Sequence, residues 1–219
     1  MTAASKSVLI TGSRNPGKGE EAARVLGAIP DIKGTVSSIQ IDVTDDKSVD
    51  EAAVHVGKEY GRLNVLVNNA GIAILEELPS RDSYREVLDV NLIGALSTTQ
   101  AFLDLLRRSS EKRLIFVSSS TGSITHASNP ESPLYSPRVV EYRSSKAALD
   151  MMMVSYWARL KGEGIKVFGA DPGLCVTNLT GDPESLRKRN AAEPLEGGRR
   201  VATVVKGERD IDIGKGLGD

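Results

Sequence analysis

The sequence predicts a single α/β domain, residues 1–219, built on a doubly wound parallel sheet of the Rossmann type. Two observations carry this. Short β-branched runs alternate with longer segments whose apolar residues recur every three or four positions, the pattern of parallel βαβ units with both sheet faces covered. The second is size, since 219 residues suffice for one α/β core and are few for two. Composition agrees: 40% hydrophobic and 26% charged residues with a net charge of -1 mark an ordinary globular chain. No basic stripe with interleaved aromatics occurs, so nucleic acid is not an expected partner.

Taken in order, strands are expected at 7–11, 39–43, 63–67, 114–117 and 166–170. Helical patterns lie near 18–28, 46–60, 82–108 and 141–161, each rich in Ala, Leu, Glu, Arg and Lys. Ligands of such a sheet bind beyond the carboxyl ends of its strands, so functional residues belong just after each strand. The Pro- and Ser-bearing stretch 124–138 reads as a loop, and the Gly- and charge-rich segment 206–219 as a loosely held tail. The apolar run near Met1 is too short for a signal-peptide core, and no segment approaches the roughly 18 apolar residues of a membrane span. The expectation is a cytoplasmic protein without a membrane partner. Cys175 is the only cysteine, which precludes an intrachain disulfide and fits a reducing compartment.

The sequence Tyr142-Arg-Ser-Ser-Lys146 puts a phenol and an ammonium four residues apart, on one face of a helix. A free phenol, with a pKa of about 10, is neutral at pH 7, and a neighbouring cation can lower that value by about 1–3 units. Tyr142 is thus a candidate general acid for carbonyl reduction or base for alcohol oxidation. The spacing is common by chance, and three further segments give it weight. Asn68-Asn69-Ala70-Gly71 follows the run LNVLV, Ser118-Ser119-Ser120-Thr121-Gly122 follows LIFV, and Asp171-Pro172-Gly173 follows KVFGA. Asp42 closes IQID, and Asn91 stands in DVNLIG.

This ordered set resembles the short-chain dehydrogenase/reductase family, in a carbonyl-reductase-like form, over roughly residues 35 to 180. The resemblance implies a catalytic group of Asn91, Ser119, Tyr142 and Lys146. Ser119 would hydrogen-bond the substrate oxygen, and Lys146 would also bind the nicotinamide ribose. Asn91 would hold a water linking Lys146 to solvent. Ser119 as a simple cap and Asn91 as a packing polar group are the bland alternatives. The cofactor would be held by Thr11, Gly12, Asp42 (adenine amino group), Asn69, Ala70 and Gly71 along one side. Tyr142, Lys146, Pro172, Gly173, Thr177 and the backbone of Cys175 would hold its nicotinamide end. A nucleophilic Cys175 lacks a basic partner in the sequence, and His55 and His126 have no metal-ligand spacing, so no metal is expected.

The chain departs from the family where a dinucleotide fold needs glycines after the first strand, so that backbone can approach the pyrophosphate at a helix N-terminus. Here Thr11 and Gly12 are followed by SRNPGKG, with four residues, one of them Pro16, where the family has three. Residues 29–36, IPDIKGTV, carry Pro and Gly and lack a strand run. An alignment that omits about one βα unit after Gly12 explains more. It makes SRNPGKGEEAARVL the end of the family's second strand and its helix, with Arg14 on the 2'-phosphate of NADP(H), which favours NADP(H) over NAD(H). Losing two or three backbone contacts to the pyrophosphate, at about 1.5–3 kcal/mol each, would weaken binding at least about a hundredfold.

Two functions compete on these grounds. One is an NADP-dependent oxidoreductase that reduces a ketone or aldehyde, or oxidises the alcohol, and forms a homodimer. The other is a cofactor-deficient, non-catalytic relative acting through dimerisation or partner binding. A P-loop reading of GSRNPGK is weaker, because Gly19 stands where a magnesium-binding hydroxyl is needed.

Overall fold

Four parallel strands, β1 (Val8–Ile10), β2 (Val65–Asn68), β3 (Arg113–Val117) and β4 (Lys166–Ala170), hydrogen-bond in the order β1-β2-β3-β4. They are seen in a computed structural model that describes residues 6–12 and 14–215. Each strand is a short β-branched or aromatic run, suited to a sheet buried on both faces. The helices are α1 (Pro16–Gly27), α2 (Asp46–Tyr60), α3 (Arg81–Leu88), α4 (Gly94–Arg107), α5 (Ile124–Ser128), α6 (Val140–Leu160), α7 (Pro183–Lys188) and α8 (Pro194–Lys206). Their starts are written locally. Asp45 accepts the Lys47 amide to cap α2, Ser80 and Ser83 form a reciprocal capping box on α3, and Pro16 occupies the first turn of α1 behind the Asn15 cap.

Helices α2, α4 and α6 cover one face of the sheet. Leu66, Leu114, Phe116 and Val167 from the strands interlock there with Phe102, Leu105, Leu106, Leu149 and Met153. On the other face Val65, Val67, Ile115, Val117 and Phe168 pack beneath α8 through Val201, Val204 and Val205. This cover stops short of β1. Leu9 joins the first cluster, but Val8 and Ile10 on the opposite face are 45% and 61% exposed. Helix α1 buries none of its residues, and Val25, Leu26 and Ile29 stand open to solvent.

The expected strand at 39–43 does not form. Its alternation is real, for Ile41 and Val43 are buried in the first cluster, but the segment joins no ladder. The reason is the missing partner: 29–36 forms no strand either, so among the described residues no strand lies beside 39–43, and the Asp42 amide donates instead to Ser48 Oγ at 2.9 Å. The segment is seated instead against the start of α4, where a Cβ on Gly94 would meet Val43 at 2.7 Å. The expected helix at 82–108 is also modified, because a π-helical turn, Asp89–Ile93, separates α3 from α4. Composition predicts a loosely held tail over 206–219, but residues up to 215 have specific ties. Asp210 pairs with Arg113, at 2.5 Å, and with Lys166, and the Gly214 amide donates to the Val167 carbonyl at 3.0 Å.

Candidate active site

The serine run after β3 and the first turns of α6 meet at the carboxyl end of the sheet. Gly122 allows the approach, since a Cβ there would lie 2.7 Å from the Ala147 amide nitrogen. Ser119 caps the short turn that comes after it, accepting the Thr121 amide at 3.3 Å, and its Oγ lies 2.9 Å from the Thr121 hydroxyl. The capping role is therefore present, yet the same hydroxyl also stands beside the Tyr142 phenol and favours its ionised form. Lys146 is buried, donates from Nζ to the Val117 carbonyl at 2.9 Å, and sits 5.5 Å from the centre of the Tyr142 ring. Ser119, Tyr142 and Lys146 thus converge.

Electrostatics at this point run opposite to the simple expectation for a phenol beside a cation. Burial pushes Tyr142 up to about 12, the Asp171 carboxylate adds to the rise, and Ser119 opposes it. Burial likewise pushes Lys146 down to about 8, with Asp150 and Asp171 pulling it back. The phenol is therefore uncharged at neutral pH. Burial is the largest cause for both groups, and Lys146 Nζ donates to the Val117 carbonyl.

Asn91 lies in the π turn, an insertion that commonly marks functional positions. Its side chain accepts from the Ile72 amide at 2.8 Å, donates to the Ile72 carbonyl at 2.9 Å, and donates to Ser145 at 3.0 Å. Ser145 donates in turn to the Tyr142 carbonyl at 2.7 Å. The amide group of Asn91 is thus spent on joining the loop after β2 to α6. A Cβ on Gly71 would come 3.3 Å from Asn91 Oδ1 and 3.8 Å from Lys146 Nζ, so the backbone of the loop after β2 passes close to both side chains.

The remaining predicted residues fall into three groups. Thr11 ties β1 to the loop after β2: its hydroxyl accepts the amides of Asn69 and Ala70 at 2.9 and 3.0 Å, and Asn69 Nδ2 donates to the Thr11 carbonyl at 2.9 Å. Asp42 binds the Thr44 amide and hydroxyl through Oδ1, which holds its carboxyl below the usual range, and the Arg14 charge adds to this. Arg14 and Asp42, 28 positions apart, are thereby neighbours. Gly173, at φ +75°, follows Pro172 in a turn held by Asp171, which accepts the Gly173 amide at 2.7 Å and the Ser120 amide and hydroxyl at 2.8 and 2.6 Å.

Cys175 turns its Sγ back to the Pro172 carbonyl at 3.4 Å, while Leu174 and Val176 make the backbone bonds to Ala192, leaving the backbone of Cys175 outside that pair. Thr177 caps the turn Asn178–Thr180. Gly12 is exposed after β1, and α1 buries none of its residues. No group of three or more His, Cys, Asp or Glu residues among the described residues suits a metal, and His126 meets Ser132 at 3.0 Å.

Sequence reasoning gave no role to Asp171, Ser145 or Asp150. Asp171 is the hub linking the serine run to the turn after β4, and its place directly before Pro172-Gly173 was a signal for it. Ser145 sits inside the Tyr-to-Lys spacing, and Asp150 stands four residues beyond Lys146, the spacing of a helical charge pair.

Comparison with known proteins is consistent with this geometry. The short chain dehydrogenase family profile matches residues 1–187. The short-chain dehydrogenase/reductase tropE of Talaromyces stipitatus is 38% identical over 217 residues, covering 91% of this chain and 80% of its own length. The short-chain dehydrogenase anuI of Penicillium roqueforti is 34% identical over 194 residues, covering 85% of this chain and 76% of its own. A crystal structure of NADPH-bound carbonyl reductase from chicken fatty liver superposes with a TM-score of 0.73 at 25% identity, covering 95% of this chain and 83% of that one. With the motifs in order at the strand ends and a profile matching most of its length, the chain belongs to the short-chain dehydrogenase/reductase family of oxidoreductases.

Proposed function

We propose that this protein reduces a ketone or aldehyde, or oxidises the corresponding alcohol, with NADP(H) as the hydride carrier. The observation that carries the reading is the convergence of Ser119, Tyr142 and Lys146, with a neutral, half-buried phenol facing a serine hydroxyl. The cofactor supplies the hydride; the side chains manage the proton and the oxygen. Ser119 hydrogen-bonds the substrate oxygen and aligns it with the phenol. Tyr142 then donates its proton to that oxygen as negative charge develops there, and its raised pKa suits an acid that must stay loaded at neutral pH. Lys146 binds the nicotinamide ribose and stabilises the phenolate that remains. With its amide engaged, Asn91 is left its main-chain carbonyl to hold a water for proton return.

The residues fit the two ends of the cofactor. The side-chain-free backbone at Gly71 beside Lys146 suits the nicotinamide ribose, and the Arg14–Asp42 pair suits a 2'-phosphorylated adenosine. That pairing favours NADP(H), in keeping with the NADPH-bound carbonyl reductase of similar fold. The middle of the cofactor is poorly served. Exposed Val8 and Ile10, an α1 with no buried residue, and a tropE comparison running over 217 residues while covering 91% of a 219-residue chain support the loss of one βα unit after Gly12. These same features favour the second reading, a relative that binds little cofactor and acts by dimerisation or partner binding.

Calorimetric titration with NADPH and NADH separates the two. Binding of NADPH together with aldehyde or ketone reduction supports the enzyme. In that case Tyr142→Phe should cut turnover by about 10²–10⁴-fold while leaving the melting temperature and NADPH affinity unchanged. Substantial turnover in Tyr142→Phe removes the role given to the phenol.

A further inference from the structure

Lys146 is a buried ammonium with no ion-pair partner among the described residues; its nearest acceptor is the Val117 carbonyl. Two carboxylates act on it, Asp150 from its own helix and Asp171 from the turn after β4, and Tyr142 is the remaining titratable group against it. Asp171 is occupied by three hydrogen bonds from Ser120 and Gly173. Asp150 is not. It lies one turn along α6 from Lys146, and its Oδ1 is shut off from solvent with no hydrogen-bond partner.

Ser118, whose hydroxyl also donates to the Lys146 carbonyl at 3.4 Å, supports the Asp150 carboxylate from the end of β3. An aspartate in mid-helix with a bare buried oxygen is unfavourable on its own account. Its compensation is the field of the ammonium, and the field acts both ways.

We propose that Asp150 is a positioning residue for charge: its carboxylate, set behind Lys146 on α6, keeps the Lys146 ammonium protonated at the pH at which it serves the cofactor and Tyr142. The role given to Lys146 rests on the proposed function; the charge coupling does not. The groups acting on Asp150 are Ser118, Lys146 and Asp171, and burial raises it to about 6. Its support for Lys146 is therefore absent in acid and present above neutrality.

The test begins on the cofactor-free protein with lysine labelled by carbon-13 at Cε, the Lys146 signal being identified by its loss in Lys146→Arg. Asp150→Asn should lower the Lys146 titration midpoint by about one unit, and Asp150→Ser should do the same without the amide. Reciprocally, Lys146→Met should raise the Asp150 carboxyl midpoint. Unchanged midpoints in the folded variants overturn the proposal, whether or not the protein reduces anything. Where NADPH-dependent turnover is measured, the alkaline limb of kcat/KM should move to lower pH in Asp150→Asn, with variant and wild type converging below about pH 5. A uniform drop at every pH would show a merely structural role and overturn it. Absence of turnover with the midpoint shift intact would count against the proposed function alone.

Discussion

The two ends of the sheet are built to different standards. At β3 and β4 both faces are sealed, by α4 and α6 on one side and α8 on the other, and Ser120, Ser145, Lys146 and Asp171 are tied to their neighbours by hydrogen bonds. At β1 one face carries exposed Val8 and Ile10, and the next helix, α1, buries none of its residues. The proposed function places its chemistry in the well-packed half and would have the cofactor's diphosphate cross the open one. Under the proposed function, conversion and cofactor capture would be physically separable, the first resting on β3, β4 and α6 and the second on the segment between β1 and α1.

Core truncation should give the widest contrast. Phe102→Ala removes a fully buried ring between α4 and the sheet and should cost about 3–5 kcal/mol in denaturant unfolding, whereas Ile10→Thr, on the open face, should stay within about 0.5 kcal/mol. Equal losses would mean that β1 is as well packed in solution as β3. Completing the poor half is the next test. Inserting a family-type glycine loop, helix and strand directly after Gly12 should raise NADPH affinity at least about a hundredfold and raise the melting temperature by covering Val8 and Ile10. Low-micromolar binding by the unaltered chain would show that TGSRNPGKG already works as a phosphate loop.

Smaller effects lie at the periphery of both halves. Arg113 and Lys166 hold Asp210 down at about 2, so its contribution is present above the unfolded carboxyl pKa near 4 and is lost as the pH falls through about 2. Asp210→Asn should therefore cost about 1–2 kcal/mol at pH 7, the pair being discounted because the carboxylate is a third exposed, and almost nothing near pH 2. A constant loss across that range would deny the ion pair. Arg14→Ala should weaken NADPH by about three- to tenfold and NADH hardly at all, since the side chain is exposed. Equal weakening would make Arg14 structural.

Much of this was legible along the chain. The runs at 63–67, 114–117 and 166–170 became strands, because a β-branched run buried on both faces has few other uses. Ser119, Tyr142, Lys146 and Asn91 were recognisable as types at fixed places in ordered motifs, and the structure brings them to one end of the sheet. The sequence also predicts no strand over 29–36, and none forms there.

Other features were decided only in three dimensions. Whether 39–43 pairs depends on a neighbour, and a strand without a partner leaves its backbone bonds unmade whatever its alternation. The direction of the Tyr142 shift depends on how much water the fold removes, which outweighs a cation four residues away. Asp171 and Asp150 acquired their neighbours the same way, through the meeting of β3, β4 and α6. Residue types and their order came from the chain alone; solvation and partners, which set each charge, required the tertiary structure, because they belong to groups far apart in sequence.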